Sequence, residues 1–333
     1  MEKKYQVSLQ AQDNYKVIDE DNHEFSAKLA GRLFNEQQRP IVGDYVMGDA
    51  QADFVLIKTL LPRQGVLKRS GGVDGQAQLI AANLDYVFIT MSVNQNFSLP
   101  RLDRYATLVW DSGATPVVVL TKADLASDIQ LAEGVQQVRD NMFGIDVITT
   151  KQTDPALIQT VFTPYLSHGK VIAFVGSSGV GKSTLVNVLM QENVERTERV
   201  RDSDDKGRHT TTSRVLHVLQ GGARIIDTPG MREVGVADAS ETAAAQSFSD
   251  ITELAKQCRF TDCQHETEPG CAVKRAVKDG RLTPERLASY QKLQREMQYA
   301  GLSGRQVEQT KLTRLLKDVG GQKNFKKNMK HRR

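Results

Sequence analysis

At 333 residues and 37.0 kDa the chain exceeds one average domain, so two or three are expected. Hydrophobic residues at 39% and charged residues at 25% are ordinary globular values, enough for a sizeable core, and no apolar run reaches the roughly 18 residues of a membrane span. The net charge of +4 is uneven: residues 301–333 carry ten Lys/Arg against two Asp/Glu, which points to a local polyanion contact rather than a basic protein throughout.

The first residues, MEKKYQVSLQ, hold no apolar segment of the kind that opens a secretory signal, and the cytoplasm is the expected compartment. Short strands follow at even spacing: YQVSLQ, NYKVIDE, EFSAKLA, DYVMGD and DFVLIK, separated by polar turns. Five such strands in about 65 residues predict a small OB-like barrel over 1–70. Leu67 to Gln78, rich in Gly and polar residues, reads as a linker or mobile loop.

The pattern then changes to strands alternating with helices. YVFITMS (86–92), PVVVLTKADL (116–125), IDVITT (145–150), KVIAFVG (170–176), RVLHVL (214–219) and RIIDTPG (224–230) read as strands. Residues 101–113 and 128–143 have helical spacing. A doubly wound α/β domain is expected over 71–237. From 238 to 333 the chain reads as helices with polar loops, among them a helix capped by Thr283 with Pro284 at its first position. The last residues, GGQKNFKKNMKHRR, have no apolar period and are expected to be disordered when unbound.

Phe174 to Met190 contains G-x-x-x-x-G-K-S, the loop that holds nucleotide phosphates. Gly176, Gly179 and Gly181 let the backbone curl so that N–H groups of Ser177, Ser178, Val180 and their neighbours point at phosphate oxygens. Lys182 reaches the β- and γ-phosphates, Ser183 is the expected Mg²⁺ ligand, and Thr184 opens the helix whose positive end faces the anion. DTPG follows a strand some 45 residues later: Asp227 suits Mg²⁺ through water, and the Gly230 N–H suits the γ-phosphate. TKAD (Thr121, Lys122, Ala123, Asp124) looks like the [N/T]-K-x-D motif of GTPases. Asp124 can accept from guanine N1–H and its exocyclic amine, a donor pair adenine lacks, so the expected nucleotide is GTP. Lys122 would pack on the base, and Thr121 in place of the commoner Asn is expected to weaken base binding. ITT (148–150) is a candidate for the next base-contacting loop.

The order is unusual, because base recognition precedes the phosphate loop. The strands can still occupy the same places in one sheet, since ligand loops lie at the carboxyl ends of strands whatever the connections. Cys258, Cys263, His265 and Cys271 follow as C-x4-C-x-H-x5-C. Three thiolates and one imidazole suit a tetrahedral structural Zn²⁺ with no place left for a catalytic water.

Taken together, the barrel, TKAD, GSSGVGKS, GRHTTT, DTPG and the Cys/His cluster resemble the circularly permuted GTPases of small ribosomal subunit biogenesis, the RsgA (YjeQ) family, over nearly the whole chain. The resemblance implies a multidomain α/β fold: an OB-like barrel, a circularly permuted P-loop GTPase domain and a C-terminal helical zinc-binding domain. It implies hydrolysis of GTP to GDP and phosphate in late maturation of the small (30S) subunit, with its rRNA as partner, no membrane contact and a monomeric state. GRHTTTSR (207–214) lies where a switch loop belongs. Thr211 is taken as the Mg²⁺-binding threonine among three adjacent ones, and His209 is matched to the family's switch histidine. Many GTPases place a water-orienting Gln directly after the DxxG glycine; here that residue is Met231, so slow intrinsic turnover stimulated by a partner is expected. Two rival readings share these motifs: a nucleotide-gated module acting on mRNA or tRNA, and an ATP-dependent P-loop kinase, which Asp124 opposes.

Overall fold

The computed structural model describes residues 2–11, 13–35, 39–69, 78–93, 97–190, 214–227 and 239–299, with Gln306 and Gln309. The N-terminal strands are β1 (Lys3–Ala11), β2 (Asn14–Ile18), β3 (Glu24–Leu29), β4 (Tyr45–Ala50) and β5 (Val55–Leu60), with a short helix α1 (Gly31–Asn35) between β3 and β4. They pair in the order β1-β2-β3-β5-β4, and β4 returns to β1, which closes the barrel. Alternation along these strands turns Tyr5, Val7, Tyr15, Val17, Ala27, Val46, Val55 and Ile57 into one buried cluster.

The segment expected as a linker begins and ends in paired strands. β6 (Val66–Arg69) and β7 (Gln78–Ala82) form an antiparallel ribbon, and residues 70–77 between them lie outside the described residues. The reason is burial: Leu67, Ile80, Ala81 and Ala82 are at most 2% exposed and draw the ends of the Gly-rich stretch into pairing.

The second sheet runs β10-β9-β8-β11-β13-β12, where β8 is Tyr86–Ser92, β9 Thr115–Thr121, β10 Asp146–Thr149, β11 Val171–Val175, β12 Arg214–Val218 and β13 Arg224–Asp227. All are parallel except β12. The continuous apolar runs of β8, β9 and β11 follow from cover on both faces. Helices α2 (Leu99–Asp111) and α3 (Asp128–Asn141) cover one face, with Leu102, Tyr105, Val109 and Val138 in its core. Helices α4 (Pro155–Phe162) and α5 (Lys182–Met190) cover the other, where Phe88, Phe162 and Phe174 pack ring against ring. The sheet is re-cut rather than rearranged: the strand feeding the phosphate loop is central, although it is fourth of six in sequence.

Barrel and sheet are joined directly. β1 pairs with β12 through Leu9↔Val215 and Gln10↔Arg214, so the eleven strands form one hydrogen-bonded array. Gln6 Nε2 and Asn83 Nδ2 both donate to the Gly43 carbonyl at 3.0 Å, and buried Arg224 donates to Gln6 Oε1 and Asn22 Oδ1. Arg63 forms a bidentate pair with fully buried Asp44 at 2.8 and 2.7 Å where the chain leaves the barrel.

The C-terminal part is helical: α6 (Glu241–Ser247), α7 (Ser249–Ala255), α8 (Ala272–Lys278) and α9 (Pro284–Tyr299). The Thr283 hydroxyl accepts the Arg286 N–H at 3.2 Å, the cap expected from the sequence. This part shares a core with the sheet, since Phe248, Ile251, Val273, Ala276 and Leu293 belong to the same buried cluster as Leu102 and Val109. No described helix is long and apolar enough to cross a membrane.

Candidate functional site

The motif loops converge on the carboxyl edge of the parallel strands. β8, β9, β10, β11 and β13 all end there, which places TKAD, the 150–152 loop, the phosphate loop and Asp227 along one rim.

The phosphate loop runs from Gly176 to Ser183 between β11 and α5. Gly176, Gly179 and Gly181 have φ of 143°, 73° and 101°, a conformation that L side chains rarely adopt. A Cβ at Gly176 would collide with the Thr90 carbonyl oxygen, so this glycine lets β8 and the loop touch. Val180 is the buried anchor of the loop, while Ser178 and Gly179 stay exposed. Lys182 Nζ lies 2.7 Å from the carbonyls of Gly176 and Ser177 and so caps the loop it serves. Ser183 and Thr184 occupy the first turn of α5, where backbone N–H groups have no intrahelical partner.

The TKAD loop is tied to the phosphate loop. Thr121 is 1% exposed, and its hydroxyl donates to the Val180 carbonyl at 2.6 Å. The residue expected to weaken base binding is thus a brace between the two halves of the nucleotide site. Lys122 takes a left-handed φ of 57°, which turns the chain sharply after the strand. Ala123 donates its N–H to the Thr150 carbonyl at 3.1 Å. The exposed Asp124 carboxylate accepts the Gln152 N–H at 3.3 Å. Thr150 in turn donates its N–H to Leu120 O at 2.9 Å, so the ITT segment does sit beside TKAD. Gln152 was not legible in the sequence. Its amide nitrogen would lie 3.0 Å from a Cβ at Gly181, so it bridges the base and phosphate loops.

Asp227 closes β13 next to the strand of the phosphate loop, half-buried. Ser183 and Asp227 are hard oxygen donors on the same rim, a set that fits a magnesium ion bound with nucleotide phosphates. His209, Thr211, Gly230 and Met231 lie outside the described residues.

The Cys/His cluster lies between α7 and α8. The four donor atoms of Cys258, Cys263, His265 and Cys271 fall within 4.8 Å of one another. Cys258 Sγ lies 3.8 Å from Cys271 Sγ, and His265 Nδ1 lies 3.7 Å from Cys258 Sγ and 3.4 Å from Cys271 Sγ. A regular tetrahedron with metal–sulfur bonds of about 2.3 Å has sulfur–sulfur edges of about 3.8 Å, so the donor set fits zinc. His265 is buried at φ 59°, and burial lowers its pKa, which favours the neutral imidazole a metal needs. Glu268 accepts N–H groups of Gln264, Glu266 and Thr267, fixing the loop around the histidine.

Arg286 was also missed in the sequence. It is buried between α9 and the sheet domain, paired with Asp103 on α2 and bidentate to Asp250 at 3.1 and 3.0 Å, with Phe248 under its guanidinium at 4.1 Å.

Comparison with known proteins gives a consistent result. The model of the RsgA GTPase family matches residues 60–237, more than half of the chain. An ABC transporter model matches residues 162–317, a stretch that includes the phosphate loop. The small ribosomal subunit biogenesis GTPase RsgA 2 of Lactiplantibacillus plantarum is 48% identical over 96% of this chain and 89% of its own. The small ribosomal subunit biogenesis GTPase RsgA of Methanosarcina acetivorans is 42% identical over 82% of this chain and 74% of its own. The crystal structure of YjeQ from Thermotoga maritima matches with a TM-score of 0.70 at 24% identity, covering 91% of this chain and all of that one. YloQ, described as a circularly permuted GTPase, matches with a TM-score of 0.69 over 91% of this chain and 97% of its own.

Proposed function

The chain belongs to the RsgA GTPase family, and from that premise we propose that it hydrolyses GTP to GDP and phosphate in the late maturation of the small ribosomal subunit. The observation that carries this reading is the Thr121–Val180 hydrogen bond, which couples the guanine-selecting loop to the phosphate loop so that both act on one nucleotide.

In this reading Asp124 selects guanine and Lys122 covers the base. Gly176 to Thr184 hold the phosphates, with Lys182 turning from the loop carbonyls toward the β- and γ-oxygens. Ser183 and Thr211, with Asp227 through water, are the residues that would hold Mg²⁺, which would supply positive charge against the charge developing on the phosphates. The Gly230 N–H is the group that would contact the γ-phosphate. His209 takes the place of the missing Gln and orients the attacking water, because Met231 has no polar atom suited to that task. Turnover by the chain alone is slow, and the small subunit raises it.

Three units carry the work: the barrel (1–70), the GTPase domain (71–237) and the zinc-binding helical unit with its basic tail (238–333). Barrel, zinc unit and tail contact rRNA, and the nucleotide state sets the affinity. The protein acts in the cytoplasm as a monomer with one structural Zn²⁺ per chain, held by Cys258, Cys263, His265 and Cys271.

The test is turnover of GTP and of ATP by the purified protein, with and without small ribosomal subunits. Stimulation of GTP turnover by small subunits, and none of ATP turnover, is expected. GTP turnover indifferent to small subunits would overturn the ribosomal part, and equal ATP turnover would overturn the guanine selection.

A further inference from the structure

We infer that Phe260, at the tip of the loop between Cys258 and Cys263, is a stacking platform for an unpaired base of single-stranded RNA. This deepens the reading that the chain contacts rRNA, and rests on it.

Phe88, Phe162, Phe174 and Phe248 are at most 3% exposed, whereas Phe25, Phe143 and Phe260 are 37%, 58% and 40% exposed. Phe25 packs edge-on against Tyr5, and among the described residues Phe260 is the exposed phenylalanine with a guanidinium at its ring. Such a ring leaves a π-face at the surface on which a flat ligand can stack. The loop that carries it is short and held at both ends by the donor residues Cys258 and Cys263. Its backbone is anchored again where Arg259 N–H donates to Gly270 O at 3.3 Å. Gly270 sits at φ 75°, and a Cβ there would come within 3.1 Å of Arg259 Cβ, so loop and glycine turn pack closely. The ring is therefore presented on a stiff support, which lowers the entropy lost on binding.

Charge decides which flat ligand fits. The Arg259 guanidinium lies 5.4 Å from the Phe260 ring centroid, within range of a cation–π contact. Exposed Lys274, Arg275 and Lys278 lie on α8, which leaves directly from Cys271. The acidic Glu268 is turned inward onto three backbone N–H groups, while Asp262 is an exposed carboxylate of the same loop. An aromatic face beside an arginine, on the unit that also carries a basic helix, is an arrangement that can take a base on the ring and its phosphate on the cations. Duplex RNA, whose bases are already stacked, has no face to offer it.

The experiment uses the full zinc-loaded chain and a short single-stranded RNA carrying 2-aminopurine, whose emission falls when the base stacks. Wild type should quench the probe and bind it more tightly than the same sequence in duplex form. Phe260→Ala should abolish the quench and weaken single-strand binding roughly 10-fold, within the range of one base–aromatic stack. Phe260→Trp should retain both. Phe260→Leu keeps an apolar side chain without a ring and should behave like Phe260→Ala. Zinc content and melting temperature should be unchanged in all three. Unaltered quenching in Phe260→Ala overturns the proposal, and so does wild-type-like binding by Phe260→Leu, which would mark an apolar protein contact. Because the probe is a free RNA, the result stands apart from stimulation by small subunits: failure of that stimulation with quenching intact would remove the ribosomal reading and leave the platform.

Discussion

Arg286 and Asp103 form a buried ion pair that fastens the C-terminal helices to the GTPase sheet across 183 positions of sequence, with side-chain exposures of 2% and 5%. Burial pushes the Asp103 carboxyl up to about 6, against the pull of Arg286. Arg286→Met removes the guanidinium that Asp103, Asp250 and the Ser247 carbonyl share. A loss of about 3–5 kcal/mol is expected at neutral pH, as for any buried pair broken on one side. The pH dependence has a definite sign. Without Arg286 the folded pKa of Asp103 rises further above its ordinary value of 3.8, so the folded state binds the proton more tightly than the unfolded one. The variant's deficit should shrink as pH falls toward about 6, level off below it, where Asp103 is protonated in both folded proteins, and grow as pH rises above it, read by denaturant unfolding at several pH values.

Thr121→Val removes the hydroxyl that holds the Val180 carbonyl and keeps the side-chain volume. Affinity for GTP and for GDP should fall together, by about 1–2 kcal/mol, since both share the braced loop. Equal binding to wild type, measured by fluorescent nucleotide titration, would remove the brace from the account.

Asp124→Asn replaces the acceptor for the guanine donor pair with an amide that offers one acceptor and one donor. Guanosine nucleotide affinity should drop by about 1.5–3 kcal/mol, the range for hydrogen bonds to a charged group. Xanthosine nucleotides, whose base presents a carbonyl at that edge, should bind the variant better than guanosine ones. Competition titration checks the reversal.

The Cys258, Cys263, His265 and Cys271 cluster lies in a part of the chain that folds over the sheet without a closed core of its own. Cys271→Ala removes one donor and the cap it provides to α8, where its sulfur accepts the Lys274 N–H at 3.4 Å. Zinc content should fall to near zero, and α8 and α9 should lose hydrogen-exchange protection before the parallel strands do. Retained protection in α8 without metal would show that packing on Phe248 and Ile251 suffices.

The local chemistry was legible because it is written at short range. The glycines of the phosphate loop, the TKAD tetrapeptide and the cysteine spacing each act within a few residues, so their types and intervals identify them. The barrel strands were legible from alternation, and the buried strands from their apolar runs. Gln152 was not, because its role comes from lying near both Gly181 and Asp124 once β10 is in register with β9. The ribbon β6–β7 was missed because a Gly-rich composition outweighed the few apolar residues that pair it.

The sequence alone determined the nucleotide class, the metal donor set and the order of the domains, since residue type and spacing carry that chemistry whatever surrounds it. Tertiary structure decided how the parts are joined. Only the folded chain shows Thr121 bracing Val180, β1 extending β12, and Arg286 reaching Asp103. These contacts join residues 59 to more than 200 positions apart, and no local period or spacing encodes such a partner. They exist because burial leaves polar atoms that must find one another, and the path of the backbone sets which atoms are in reach.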